Sequence, residues 1–322
     1  MTTKNHLVTS EATILELKKS LCSEYESLPK RFRALFSLKH IAKTELSLPA
    51  LEAIAAAFSS PSALLKHEVA YCLGQTKNIA AIPHLRAVLT NKNEDAMCRH
   101  EAAEAMGAIG DIDCLDVLTK FRDAEDEDRV VRETCEIAVE RILWEQKDAC
   151  NEKFRNSKFT SIDPAPSKNN DDSIEHLEQE LLSQKLPLFR RYRSMFSLRD
   201  LASSSRSSTA TLAVLSLAKG LSDPSALFRH EIAFVFGQLG HPASIPALTA
   251  TLSNMNEVSM VRHEAAEALG SLGDQPGVKE ILKKFFNDKD QIVRESIIVA
   301  LDMADYETSD QIEYALVPGI VA

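Results

Sequence analysis

The strongest constraint on this chain is a repeat inside a repeat. RHEAAEAMG (Arg99 to Gly107) recurs as RHEAAEALG (Arg262 to Gly270), 163 residues later. PSALLKHEVA, from Pro61, recurs as PSALFRHEIA, from Pro224, at the same offset. RFRALFSL, from Arg31, recurs as RYRSMFSL, from Arg191, at an offset of 160, and RVVRETCEIA near Arg129 matches QIVRESIIVA near Gln291. The 322 residues are therefore read as a tandem duplication. Residues 1–146 form the N-terminal half and residues 174–322 the C-terminal half with its tail. Residues 147–173 are polar, carry Pro164 and Pro166 and show no sustained periodicity, as expected of a linker that is flexible at least in part.

A shorter period runs inside each half. His67 and His100 are 33 residues apart, as are His230 and His263. That is the length of one helix-turn-helix unit in a solenoid. The punctuation agrees: Gly110 and Gly273 suit a helix C′ position, Asp111 and Asp274 suit capping the next helix, and Pro83 and Pro246 suit a helix start. Aromatics are scarce, at 6%, while Ala and Leu are abundant, which favours helices over sheets. The expected fold is all-α, with about eight hairpins in two duplicated halves that face each other. The order of Asp, then Val-Arg, then an apolar helix (DRVVRETCEIA, DQIVRESIIVA) resembles HEAT repeats. One hairpin cannot bury its apolar face alone, so the hairpins stack.

The net charge of −10 and the absence of a long Lys/Arg run argue against nucleic acid or an anionic membrane as a partner. Cys22, Cys72, Cys98, Cys114, Cys135 and Cys150 form no CxxC pair, so they read as free, mostly buried thiols of a reducing compartment. The first residues lack a signal-peptide core, and no apolar run reaches the ~18 residues that a membrane span needs. A cytoplasmic monomer is the expectation.

His67-Glu68, His100-Glu101, His230-Glu231 and His263-Glu264 hold four of the nine histidines. All four pairs follow a Lys or Arg at the same register, near the start of a second helix. Equal register in stacked hairpins means equal direction in space, on parallel helices about 10 Å apart. Successive residues lie about 100° apart on a helix, so each His and its Glu flank one inward direction. Imidazole and carboxylate together suit iron or manganese, and imidazole also suits zinc. One His-Glu on a helix is ordinarily a solvated face; four in phase are harder to obtain from packing needs, although shared ancestry explains part of the match. Glu104 and Glu267 share a face with His100 and His263. Tyr71 and Phe234 stand at that position in the other two hairpins, so Glu104 and Glu267 read as structural or as supports of the ligands. His84, His241 and Cys98 have no counterpart in the other half and read as surface or packing residues. HExxH, GxGxxG, Walker and GxSxG motifs are absent.

Two halves of HEAT-like hairpins, each with two His-Glu motifs 33 residues apart, resemble the deoxyhypusine hydroxylase family. The resemblance covers about residues 30 to 304, including SALFRHE and VRHEAAEALG. It implies a non-haem di-iron monooxygenase with two Fe(II) ions, O₂ and an external reductant. The implied substrate is the deoxyhypusine side chain of translation initiation factor five A. It also implies His67, His100 and Glu101 as ligands of one iron, and His230, His263 and Glu264 as ligands of the other. Glu68 and Glu231 match the family's motifs as well, either as ligands or as partners of the substrate's amines. Two other readings stay open: a metal-free HEAT scaffold for protein binding, and a zinc-dependent hydrolase.

Overall fold

The apolar periodicity resolves into sixteen α-helices in a computed structural model that describes residues 11–44, 47–147, 157–168, 172–204 and 207–307. The first half contributes α1 (Glu11–Cys22), α2 (Leu28–Ile41), α3 (Ser47–Ala55), α4 (Ala63–Gly74), α5 (Ile82–Thr90), α6 (Ala96–Ile109), α7 (Leu115–Arg122) and α8 (Arg129–Lys147). The second contributes α9 (Ile174–Leu182), α10 (Leu188–Ser204), α11 (Ser207–Ala218), α12 (Ala226–Leu239), α13 (Ile245–Ser253), α14 (Ser259–Gly270), α15 (Val278–Lys283) and α16 (Gln291–Glu307). Taken two by two they make the eight expected hairpins.

The second helices of the hairpins stack side by side, α4 on α6 on α8 and α12 on α14 on α16. Small residues allow this. A Cβ on Gly74 would lie 2.7 Å from the Cα of Ala105, and one on Gly107 would lie 2.9 Å from the Cα of Ala138. The same contact in the second half joins Gly270 to Ala300, at 2.8 Å. The last helix of each half then packs on the other half, α8 on α10 and α12, and α16 on α2 and α4. These contacts close the two arcs into a ring. The hydroxyls of Ser62 and Ser225 cap α4 and α12, each accepting a backbone N–H at 3.1 Å. Both also donate across the junction, to Glu295 (2.7 Å) and Glu133 (2.6 Å). Arg33 pairs with Asp302 at the same seam.

Three local expectations meet the structure differently. Gly110 adopts the left-handed cap (φ 82°) and Asp111 caps the next turn, as expected. Gly273 does not adopt it; α14 ends at Gly270, and Gly273 lies so close to α16 that a Cβ there would be 2.2 Å from the Cβ of Ala304. Asp274 accepts from Gln275 rather than capping, and the glycine before α15 is Gly277 (φ 85°). The third concerns the linker. Its described part, residues 157–168, is bonded to both halves. The Gln75 amide takes both backbone groups of Ile162 (2.8 and 3.1 Å), Gln238 donates to Ser161 (2.9 Å), and Arg199 grips Asp163 with two bonds (2.7 and 2.8 Å). Proline and polar side chains read as looseness in sequence; here side chains of both halves hold the segment through its Ile162 backbone and its Ser161 and Asp163 side chains. Of the expected thiols, Cys72, Cys98, Cys114 and Cys135 are buried and free, Cys22 is half-buried and free, and Cys150 lies outside the described residues.

Gly74 and Gly237 occupy equivalent positions, yet a Cβ on Gly237 would meet Ala268 at 3.3 Å rather than 2.7 Å. Gly74→Ala is therefore expected to lower stability by about 1–3 kcal/mol through overpacking. Gly237→Ala should cost clearly less, because its contact can relax and the helix gains up to ~1 kcal/mol in propensity. Denaturation midpoints of the two variants check the difference.

Candidate metal centre

The residue before each His sets the direction of the His. Lys66 pairs with Glu94 (2.5 Å), Arg99 with Glu127 (2.7 Å), Arg229 with Glu257 (2.6 Å) and Arg262 with Asp288 (2.5 Å). Each acid lies in the turn of the following hairpin, so each cation ties one hairpin to the next. Arg99 and Arg262 also donate through Nε to the carbonyls of Leu89 and Leu252, at 3.0 Å each. With that position anchored, the next residue, about 100° further round the helix, faces the centre of the ring.

The four imidazoles converge there. Ring centroids are 5.3 Å apart for His67 and His100 and 5.4 Å for His230 and His263. Across the halves they are 5.4 Å (His67 to His263), 5.5 Å (His100 to His230) and 5.8 Å (His67 to His230). Three sets of donor atoms come within 4.8 Å of one another: His67, His100 and His230; His230, His263 and Glu264; His100, Glu101 and Glu104. The first set draws on both halves. Glu101 lies 3.3 Å from His67 Nε2 without the alignment of a hydrogen bond. Glu264 lies 3.8 Å from His230 Nδ1 and 3.9 Å from His263 Nε2.

Most of these donors lack partners within the protein; His230 is the exception, its Nδ1 lying 3.2 Å from the Met260 carbonyl. Both ring nitrogens of His67, His100 and His263 are buried with no hydrogen bond, as is Oε1 of Glu231. A buried polar atom left so costs about 1–3 kcal/mol. Burial, reinforced in His100, His230 and His263 by the neighbouring imidazoles, holds the four rings below their usual range, so they are neutral near pH 7. Burial also raises every carboxyl of the group. Glu101 is pushed up to about 8, Glu68 and Glu267 to about 7, and Glu104, Glu231 and Glu264 well above the ordinary carboxylate range. The repulsion among the acids adds to burial at Glu68, Glu104, Glu231 and Glu264. Neutral imidazoles with free lone pairs among crowded acids could hold a cation, and the nitrogen and oxygen donors suit a divalent transition metal.

All eight predicted residues meet at this centre, and so do two that the sequence reading set aside. Glu104 belongs to one donor set, and Glu267 lies 3.6 Å from His263 Nδ1 while accepting from Ser296 (3.2 Å). Their signal was the spacing of four from His100 and His263, which the presence of Tyr71 and Phe234 at the matching positions obscured. The residues set aside as surface or packing do lie elsewhere. His84 meets Glu52 at 3.1 Å, His241 caps a turn, and the Cys98 thiol donates to the Ala63 carbonyl. A cavity of about 290 Å³ opens onto the centre. Its floor is the six glutamates, and its walls include Phe32, Phe36, Tyr71, Phe234, Val299 and Met303.

A family model for HEAT repeats matches residues 48–140 and 214–302. The deoxyhypusine hydroxylase of Neurospora crassa is 63% identical over 319 residues, covering 97% of this chain and 98% of the relative. That of Aspergillus fumigatus is also 63% identical, over 322 residues, covering 97% and 96%. The structure of human deoxyhypusine hydroxylase in complex with glycerol matches with a TM-score of 0.83 at 42% identity, over 92% of this chain and 97% of that one. Sequence and fold thus agree over nearly the whole length, and the chain belongs to the deoxyhypusine hydroxylase family of enzymes.

Proposed function

We propose that this protein hydroxylates the deoxyhypusine side chain of translation initiation factor five A, using two Fe(II) ions, O₂ and an external reductant. The observation that carries the metal part is the set of buried ring nitrogens of His67, His100 and His263 that have no partner. His67, His100 and Glu101 would hold one ion, and His230, His263 and Glu264 the other. The ferrous pair, when bound, supplies the oxygen activation and electrons that side chains lack. Everything else falls to the chain. The neutral imidazoles offer lone pairs, and the crowded acids offer charge. Phe32 and Val299 are 5% and 6% exposed and give the cavity an apolar wall suited to the methylenes of a long amine. Tyr71 and Phe234 meet edge to face at 6.1 Å and narrow the cavity against water.

Glu68 and Glu231 support the recognition of the amines. Glu231 Oε1 is a buried acceptor without a donor, and a substrate ammonium would supply one. Glu68 lies half-buried on the same cavity. Two His and one carboxylate per ion leave coordination positions open, so a further carboxylate on each ion is not required. No described helix is long and apolar enough to cross a membrane.

Three outcomes are expected. His100→Ala and His263→Ala each lose iron while keeping the helical signal, and retention of two irons in either would remove the assignment. Glu231→Gln keeps most iron but weakens binding of the deoxyhypusine protein about tenfold or more, since a charge-assisted bond contributes roughly 1.5–3 kcal/mol. Iron analysis beside substrate titration checks it; loss of iron with normal affinity in the remaining holoenzyme would make Glu231 a ligand. The third is a pH dependence. Metal must displace the proton of Glu101 (about 8), and its positive charge favours loss of the protons of the neighbouring Glu68 and Glu267 (about 7), so binding releases protons and apparent affinity rises from pH 6.5 to 8. Without metal, the fold binds more protons than the unfolded chain in this window, so its stability falls as pH rises through those values. The four histidines act the other way below about pH 7.5, because the unfolded imidazoles, with pKa ~6.5, still bind protons there that the buried rings do not. The gap in Tm between loaded and metal-free protein should widen accordingly, and calorimetry in buffers of different ionisation enthalpy counts the protons.

A further inference from the structure

The duplication produces two equivalent junctions between the halves, and they are not equally open. Where α2 meets α16, Phe36 and Met303 border the central cavity. Where α10 meets α8, their counterparts are Phe196 and Arg141, and neither borders it. Phe36 is 38% exposed, whereas Phe196 is 0% exposed.

Linker residues 157–168 make the difference. Ala165 is fully buried and joins Ile137 and Trp144 in the apolar cluster of the second half. Arg193 Nε donates to the Pro166 carbonyl (3.1 Å), and the Lys168 N–H donates to Ser197 Oγ (2.8 Å). Asp163 holds Arg199, whose guanidinium also lies 4.4 Å from the Phe159 ring. The counterpart of Arg199 at the other junction is Lys39. Its Nζ stands 4.2 Å over the Phe36 ring and, among the described residues, has no carboxylate partner. The same charge position is therefore satisfied by the linker at one junction and left for solvent at the other. Gln75 and Gln238 are themselves duplicate positions, and both bind the linker. A second cavity of about 190 Å³ lies between Lys39, Lys43 and linker residues Phe159 to Ser161, and shares Tyr71 and Gln238 with the first. The linker thus also forms the sill of the open junction.

We infer that residues 157–168 seal one of two duplication-related mouths, so that the substrate's aliphatic amine reaches the centre only between α2 and α16. The identity of the occupant rests on the function proposed above. Its fit is one of charge and shape: an apolar throat leads to six carboxyl groups, as a long cationic side chain requires. One mouth would also give the amine a single orientation on a pseudo-symmetric centre.

Two single-cysteine variants of the iron-loaded enzyme test this, Met303→Cys and Arg141→Cys, with a cationic methanethiosulfonate as the probe and the wild type as background. Glu145, the partner of Arg141, keeps Lys77 at 3.0 Å in the second variant. The thiol at 303 is expected to react about tenfold faster or more than that at 141, because reactivity follows access. Adding Asp163→Ala should raise the rate at 141 toward that at 303. A second readout needs no cysteine. Trp144, the only tryptophan, lies at the sealed mouth, so acrylamide should quench its fluorescence weakly in the wild type and more strongly in Asp163→Ala. Equal thiol rates in the intact protein, or quenching unchanged by Asp163→Ala, would overturn the seal. The labelled Met303→Cys enzyme should keep its iron and lose turnover of the deoxyhypusine protein; full turnover would overturn the entrance. Should the iron-loaded wild type not hydroxylate that protein, the proposed function fails, while thiol rates and quenching still decide the seal.

Discussion

Four imidazoles with centroids within 5.8 Å of their neighbours need helices that approach almost backbone to backbone. Ordinary helix packing leaves 8–10 Å between axes, set by the side chains at the contact. Here Gly74 and Gly237 remove those side chains between the His-bearing helices, where they face Ala105 and Ala268, and Gly107 and Gly270 do the same where α6 meets α8 and α14 meets α16. The glycine that ends RHEAAEAMG and RHEAAEALG seats the last helix of each half, α8 or α16, which carries the contact to the other half. The buried cation–carboxylate pairs then fix the rotation of each helix. A slip of one residue would turn the His about 100° away and point the cation at the centre, where six acids would hold it and exclude a metal.

The centre does not stabilise the fold that carries it. Burial drives its imidazoles and carboxyls toward their neutral forms, and several of its atoms have no partner. Stability comes from the apolar clusters, and these are shared between the halves. Met260 and Val299 belong to the cluster of the first half, and Ile137 and Trp144 to that of the second. Each half therefore completes the core of the other, and the ring can hold an unfavourable group of acids that a single stack would expel or hydrate. A metal reverses the balance locally, because it binds the deprotonated forms that burial disfavours.

Much of this was legible before the structure. The 33-residue period, the 163-residue offset and the phase of the four His-Glu pairs are local properties, and local periodicity maps directly onto helical hairpins. What escaped reading depends on contacts between distant segments. Gly273 looks like a helix terminator, and only the approach of Ala304 shows that it is a packing residue. Glu104 and Glu267 share a face with their histidines, yet which faces point at the cavity is decided by ring closure through α8 and α16. The linker misled for a related reason. Its prolines and polar residues carry no period, but the residues that fix it are scattered: Gln75 at the end of α4, Gln238 on α12 and Arg199 on α10.

Duplication also sets a problem that the second half of the sequence resolves. Two copies of one motif make a nearly symmetric ligand set, as a pair of equivalent ions would want. A side chain with a single reacting carbon is not symmetric and would have two equivalent ways into such a ring. Symmetry must therefore be broken around the centre without being broken in it. The eight His-Glu residues are identical between the halves, while the shell departs from identity at several places beside the junctions, Lys39 against Arg199, Met303 against Arg141 and Tyr71 against Phe234, and Phe36 is exposed where the equivalent Phe196 is buried. A tandem chain has one internal linker, and it crosses only one junction. On the inference drawn above, that single crossing would turn a two-sided ring into a one-sided cavity, and the asymmetry a substrate side chain needs would follow from the connectivity that made the symmetric set of histidines and glutamates.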